Sequence, residues 1–113
     1  MKSKILALSK NEEFKNLLKQ KKIGNKYVSI FFGKLANKDR KRLNISFVTK
    51  KKIGNAVKRN KIKRRLRNIM NEAIKKITIN FNYSFLVIAK SSMLNNEYKI
   101  IKETLFQDFK KIK

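Results

Sequence analysis

The sequence predicts an α+β protein, a two-layer sandwich in which helices pack on a small mixed sheet. Two observations carry this. Runs rich in β-branched and aromatic residues alternate along the chain with runs whose apolar residues recur at helical spacing, in the order α-β-β-α-β-α. Hydrophobic residues make up 42% of the 113, enough for one modest core and too many for a disordered basic tail. Proline is absent and only Gly24, Gly33 and Gly54 interrupt the chain, so 1–113 is expected to be a single domain without linker or repeat.

The first helix is expected over 10–21. Ser9 and Glu12 stand at the spacing of a capping box, and Phe14, Leu17 and Leu18 continue at helical offsets. A short extra strand is expected near 23–26. The run YVSIFFGK from Tyr27 is a strand that is apolar on both faces, with Tyr27 and Phe31 on one and Val28, Ile30 and Phe32 on the other. One face belongs to the helix-covered core. The second is either covered by the first helix through Phe14, Leu17 and Leu18, or lines an open groove. The polar stretch 35–42 is expected to be a hairpin loop. In the next strand, from Leu43, the residues Leu43, Ile45 and Phe47 share a face opposite Asn44 and Ser46.

Gly54 and Asn55 open a long helix with Asn55 as its N-cap, and Ile62, Leu66, Ile69, Met70, Ala73 and Ile77 form one apolar stripe along it. YSFLVIAK from Tyr83 is nearly continuous in apolar residues, the pattern of a strand covered on both faces. A last helix from near Asn95 carries Tyr98, Ile101, Leu105, Phe109 and Ile112 on one side. The middle helix therefore joins two neighbouring strands.

Charge indicates the partner. The 31 Lys and Arg against 7 Asp and Glu leave a net charge of +24. No carboxylate lies between Asp39 and Glu72, where the basic half of the middle helix falls. Such density repels itself, and a polyanion along the helix relieves the repulsion and releases its own counterions. Asn60, Lys61, Arg64, Arg67 and Asn68 lie opposite the apolar stripe, Lys63 and Arg65 flank it, and Lys58 and Arg59 occupy the first turn, where the helix dipole already favours anions. Four of the six Arg in the chain are on this helix, and guanidinium forks suit phosphate. A merely solvated basic face is the bland alternative; the missing acids and the local use of Arg favour nucleic acid. An apolar trough beside that helix is a platform for single-stranded bases, against the simpler reading of that strand as ordinary core.

Catalysis by protein groups is not expected. Without His or Cys the usual general base and nucleophile are missing, and the seven acids show no spacing that argues for a metal cluster. No apolar run approaches the roughly 20 residues of a membrane span, and the N-terminus lacks the pattern of a signal peptide, so the chain is expected to be cytoplasmic.

The segment GNAVKRNKIKRRLR closely resembles the signature of the bacterial ribonuclease P protein subunit. Arg59, Asn60, Lys63, Arg64 and Arg67 stand at the matching positions, preceded by Lys52, Gly54, Ala56 and Val57. The KNEEF start of the first helix, the two strands before the motif and the IAK ending the strand after it extend the likeness along the chain. The resemblance implies a protein that cleaves nothing itself. In that family a large catalytic RNA removes the 5′ leader of precursor tRNA using Mg2+, and the resemblance implies the same here, with Mg2+ held mainly by the RNA subunit and substrate. It implies contact with that RNA through Lys52, Lys58, Arg59, Asn60, Lys61, Lys63, Arg64 and Arg67, and a leader cleft at Phe14, Leu18, Val28 and Ile30. The family often has aromatic residues at Leu18 and Ile30, where this chain offers aliphatic contact, and Lys61 replaces the usual Arg. A left-handed crossover between parallel strands is also implied, against the roughly 98% preference for right-handed ones. The alternative is a ribosomal or general RNA-binding protein, which composition alone does not separate. A protein-only nuclease would need a His or a carboxylate constellation that the chain does not offer.

Overall fold

The computed structural model describes residues 5–8, 11–34 and 42–112. The strands are β1 (Ile5–Leu6), β2 (Lys21–Gly24), β3 (Val28–Lys34), β4 (Leu43–Val48) and β5 (Tyr83–Ala89); the helices are α1 (Asn11–Leu18), α2 (Ala56–Lys76) and α3 (Tyr98–Lys111). They form one mixed sheet in the order β1-β4-β5-β3-β2, a four-strand sheet extended at one edge by a two-residue strand. β4 and β5 are parallel neighbours joined by α2, as the alternation of patterns predicts. Among the described residues no helix is long and apolar enough to cross a membrane.

The expected hairpin between β3 and β4 does not form, because β5 lies between them. Physically β5 has the stronger claim to the centre. Phe85 and Val87 point into one core and Leu86 into another, so it needs cover on both faces. The connection 35–41, with Asp39, lies outside the described residues, as do Ser9 of the proposed capping box and Lys10, the expected first residue of that helix. The hairpin that does form joins β2 to β3. The Asn25 side-chain oxygen accepts from the backbone N–H of Tyr27 at 2.7 Å and of Val28 at 2.9 Å, an Asx turn that fixes the register. The Asn25 amide donates to Asp108 of α3 at 2.6 Å, tying that turn to the helix layer. α1 stops at Leu18, two tight turn bonds follow, and the extra strand begins at Lys21 instead of Ile23.

The main core lies between the sheet and the pair α2 and α3. Ile62, Leu66, Ile69, Met70 and Ala73 of α2 meet Ile45, Phe85 and Val87, and Phe109 packs edge-on to Phe85 at 5.3 Å between centroids. A second, smaller core under α1 joins Leu8, Leu17 and Leu86, with Phe14, Phe31, Val48 and Ile88 packed against it. This division corrects the cleft expectation at two positions. Val28 and Ile30 are 0% exposed and face α2 and α3, so they are core residues and not walls of an open groove. The face of β3 towards α1 carries Ser29, Phe31 and Gly33. At Gly33 a Cβ would come within 2.9 Å of Gln20 Cγ and 3.3 Å of Leu17 Cδ2, so the glycine admits the end of α1 against the sheet.

α2 begins as its sequence predicts. The Asn55 side chain accepts from the Lys58 backbone N–H at 3.0 Å, and Gly54 before it holds φ 156° and ψ −168°, a conformation open to glycine and strained for other residues. Across the helix layer Lys102 pairs with Glu72 at 3.0 Å. Beside that pair burial raises the pKa of the Tyr98 phenol, with Glu72 adding to the rise and Lys102 opposing it.

Candidate nucleic-acid interface

Parallel strands end together, and residues just past their carboxyl ends converge from distant parts of the sequence. Val48 of β4 lies opposite Ile88 of β5, so Thr49 and Lys50 emerge beside Ala89 and Lys90. Two depressions flank this junction. One is a groove of about 370 Å³ lined by Ala7, Phe14, residues 45–49 of β4 and its end, and Lys63 and Arg67 of α2. The other is a bay of about 500 Å³ lined by Ser29, Lys50, Lys52, Ile53 and residues 88–91. Val48 and Thr49 line the groove, Lys50 continues into the bay, and Ile88 stands across from Val48, so the two form one path over the ends of β4 and β5.

Among the described residues the charge along the path has one sign: Lys63, Arg67, Lys50, Lys52 and Lys90 contribute cations and no carboxylate lines either depression. In the bay the Lys90 ammonium donates to the Asn25 carbonyl at 2.6 Å, which holds it in place. The first turn of α2 also lacks an acid, so the positive end of the helix dipole adds to Lys58 and Arg59. Lys58, Asn60, Lys61, Lys63, Arg64 and Arg67 are exposed on α2. Arg59 is half-buried, with its Nε sealed from solvent and lacking a hydrogen-bond partner. Arg65 differs from its neighbours: it is half-buried and donates to the Met93 carbonyl at 3.4 Å, a contact that braces α2 against the turn before α3.

Of the expected cleft residues, Phe14 lines the groove together with two of the expected RNA-binding cations, Lys63 and Arg67. Lys52 lies in the bay. Leu18 is 48% exposed at the end of α1 and lines neither depression. Sequence reasoning missed Val48, Thr49, Lys50, Ser29, Ile88 and Lys90. The signal for several of them was present: a β-α-β unit with parallel neighbours brings the residues after both strands to one end of the sheet. Chemically the path offers ammonium and guanidinium groups for phosphates, aliphatic and aromatic surface for base faces, and hydroxyls. Such a lining suits a single polyanionic strand. Among the described residues no group of three or more His, Cys, Asp or Glu side chains stands together.

Comparison with known proteins bears on the family and the fold. A model of the Ribonuclease P family matches residues 3–113. The ribonuclease P protein component of Carboxydothermus hydrogenoformans is 36% identical over 110 residues, covering 94% of this chain and 90% of that protein. The fold is similar to the RNase P protein of Thermotoga maritima, with a TM-score of 0.80 at 24% identity over 96% of this chain and 98% of that one. The Staphylococcus aureus RNase P protein superimposes with a TM-score of 0.76 at 26% identity, covering 94% of this chain and 93% of that one. With a family match over nearly its whole length and a relative of this similarity, the chain belongs to the ribonuclease P protein family.

Proposed function

We propose that this chain is the non-catalytic protein subunit of a cytoplasmic ribonucleoprotein, ribonuclease P, and assists an RNA subunit in removing the 5′ leader of precursor tRNA. The observation that carries the reading is the shared groove, in which Phe14 from the α1 layer and Lys63 and Arg67 from the basic helix face one path. The outer face of α2 binds the RNA subunit through Lys58, Asn60, Lys61 and Arg64. The path over β4 and β5 takes the single-stranded leader, with base faces against Phe14, Val48 and Ile88 and phosphates near Lys63, Arg67, Lys50 and Lys52. The magnesium ions that the chemistry requires are held mainly by RNA and substrate, while the described residues of the path supply cations. The protein's contribution is electrostatic and positional: it lowers the repulsion between two polyanions and fixes the leader beside the cleavage site.

Base–aromatic stacking is worth about 1–3 kcal/mol per base, and Phe14 is half-buried at the groove wall. Phe14→Ala in the holoenzyme is expected to weaken precursor tRNA binding by roughly tenfold or less, with little effect on mature tRNA, which lacks the leader. Equilibrium binding of both tRNAs to wild-type and variant holoenzyme measures this. Equal losses for the two tRNAs would make Phe14 a packing residue and favour a general RNA-binding role.

A further inference from the structure

β1 pairs with β4 only at Leu43 and Asn44, so among the described residues the outer edge of β4 beyond Asn44 has no strand beside it. The Ser46 hydroxyl accepts from the Leu8 backbone N–H at 2.8 Å and closes part of that edge. The rest lines the groove beside Lys63 and Arg67, and among the described residues no strand pairs with it there. Thr49 stands at the end of this edge. Its hydroxyl is buried without a hydrogen-bond partner, and the following short helical turn at Lys51–Ile53 takes no side-chain cap. An orphaned buried hydroxyl is costly, so the position asks for a partner that the folded chain alone does not supply.

A strand edge of this kind takes an extended chain, and its cationic wall, with no carboxylate among the described lining residues, favours a nucleic acid over a peptide. A ribonucleotide differs from a deoxyribonucleotide by a hydroxyl that both donates and accepts, the complement of a threonine hydroxyl and a free strand carbonyl. We infer that the open edge of β4 recognises ribose 2′-hydroxyls of the precursor tRNA leader, with Thr49 as the reading side chain. This rests on the leader path proposed above and adds a specificity to it. Thr49 lines the groove, and rotation about its Cα–Cβ bond moves the hydroxyl between staggered positions, which lets it meet an arriving ribose.

The test compares two precursor tRNAs bound to the holoenzyme: one with an all-ribose leader, the other with deoxyribose throughout the leader except at the nucleotide next to the cleaved bond. For the wild type the deoxyribose leader should bind about three- to tenfold more weakly, the effect of one or two hydrogen bonds lost. Thr49→Val keeps the side-chain shape; it should bind the ribose leader about as weakly as the deoxyribose one and lose the discrimination. Thr49→Ser should retain it. Equal binding of the two leaders by the wild type, or discrimination that survives Thr49→Val, overturns the inference. The leader reading fails by a different signature: loss of the preference for precursor over mature tRNA as the path residues stand in the wild type. A precursor preference without ribose discrimination therefore removes the Thr49 role alone.

Discussion

Replacing Lys61 and Arg64 together with Ala is expected to weaken binding of the RNA subunit by about ten- to a hundredfold at physiological salt, with the fold unchanged. Both side chains are exposed opposite the stripe of Ile62, Leu66, Ile69 and Ala73, so their removal leaves the core intact. If about six cations neutralise phosphates, log affinity falls against log salt with a slope of about −4, and a fourfold rise in salt costs roughly 250-fold in affinity. Losing two contacts lowers the slope to about −3, so the same rise costs roughly 60-fold. The measurement is a salt series of binding constants for wild type and double variant, with circular dichroism as the folding control. An unchanged slope would mean that this face is solvated and makes no phosphate contact.

Gly54→Ala is expected to cost about 1–3 kcal/mol of stability, a large share of what a domain of this size has. The backbone conformation is the cause, since φ 156° with ψ −168° strains any residue that carries a Cβ. The added methyl would also come within 2.9 Å of Lys58 Cδ, a smaller matter because that side chain can move. Function suffers with stability. Gly54 separates Lys52 in the bay from Asn55, which caps α2, so relaxing the strain moves the cap and re-aims the cations on either side of it. Urea unfolding reads the effect directly. A variant as stable as the wild type would show that the turn relaxes without cost.

The long-period features were legible in the sequence. The α2 stripe, its Asn55 cap and the double-sided burial of β5 follow from local pattern and reappear in the structure. What pattern could not decide was which face of β3 meets α2 and α3. Both faces are apolar, and a period of two separates them without ranking them. A finer signal was available, since Ser29 and Gly33 share the face of Phe31 and mark it as the more open one. The hairpin expectation failed for another reason: polar loop chemistry is local, whereas the insertion of β5 between β3 and β4 is a long-range pairing. β1 pairs over two residues, too few to leave a period. For the binding path, the cations of α2 were visible as a run along one helix, while Lys50, Lys52 and Lys90 become one bay only when β4 and β5 lie side by side.

That the chain supplies binding and its RNA partner supplies chemistry is tested most directly by precursor tRNA cleavage at low magnesium, with the bacterial catalytic RNA alone, the protein alone and the two together. Cations on the protein replace part of the magnesium needed to hold substrate and RNA against their mutual repulsion. The protein alone should leave the precursor intact, the RNA alone should cleave slowly, and the combination should yield mature 5′ ends many times faster. Cleavage by rigorously purified protein without RNA, or a rate with RNA that the protein does not raise, would contradict the account.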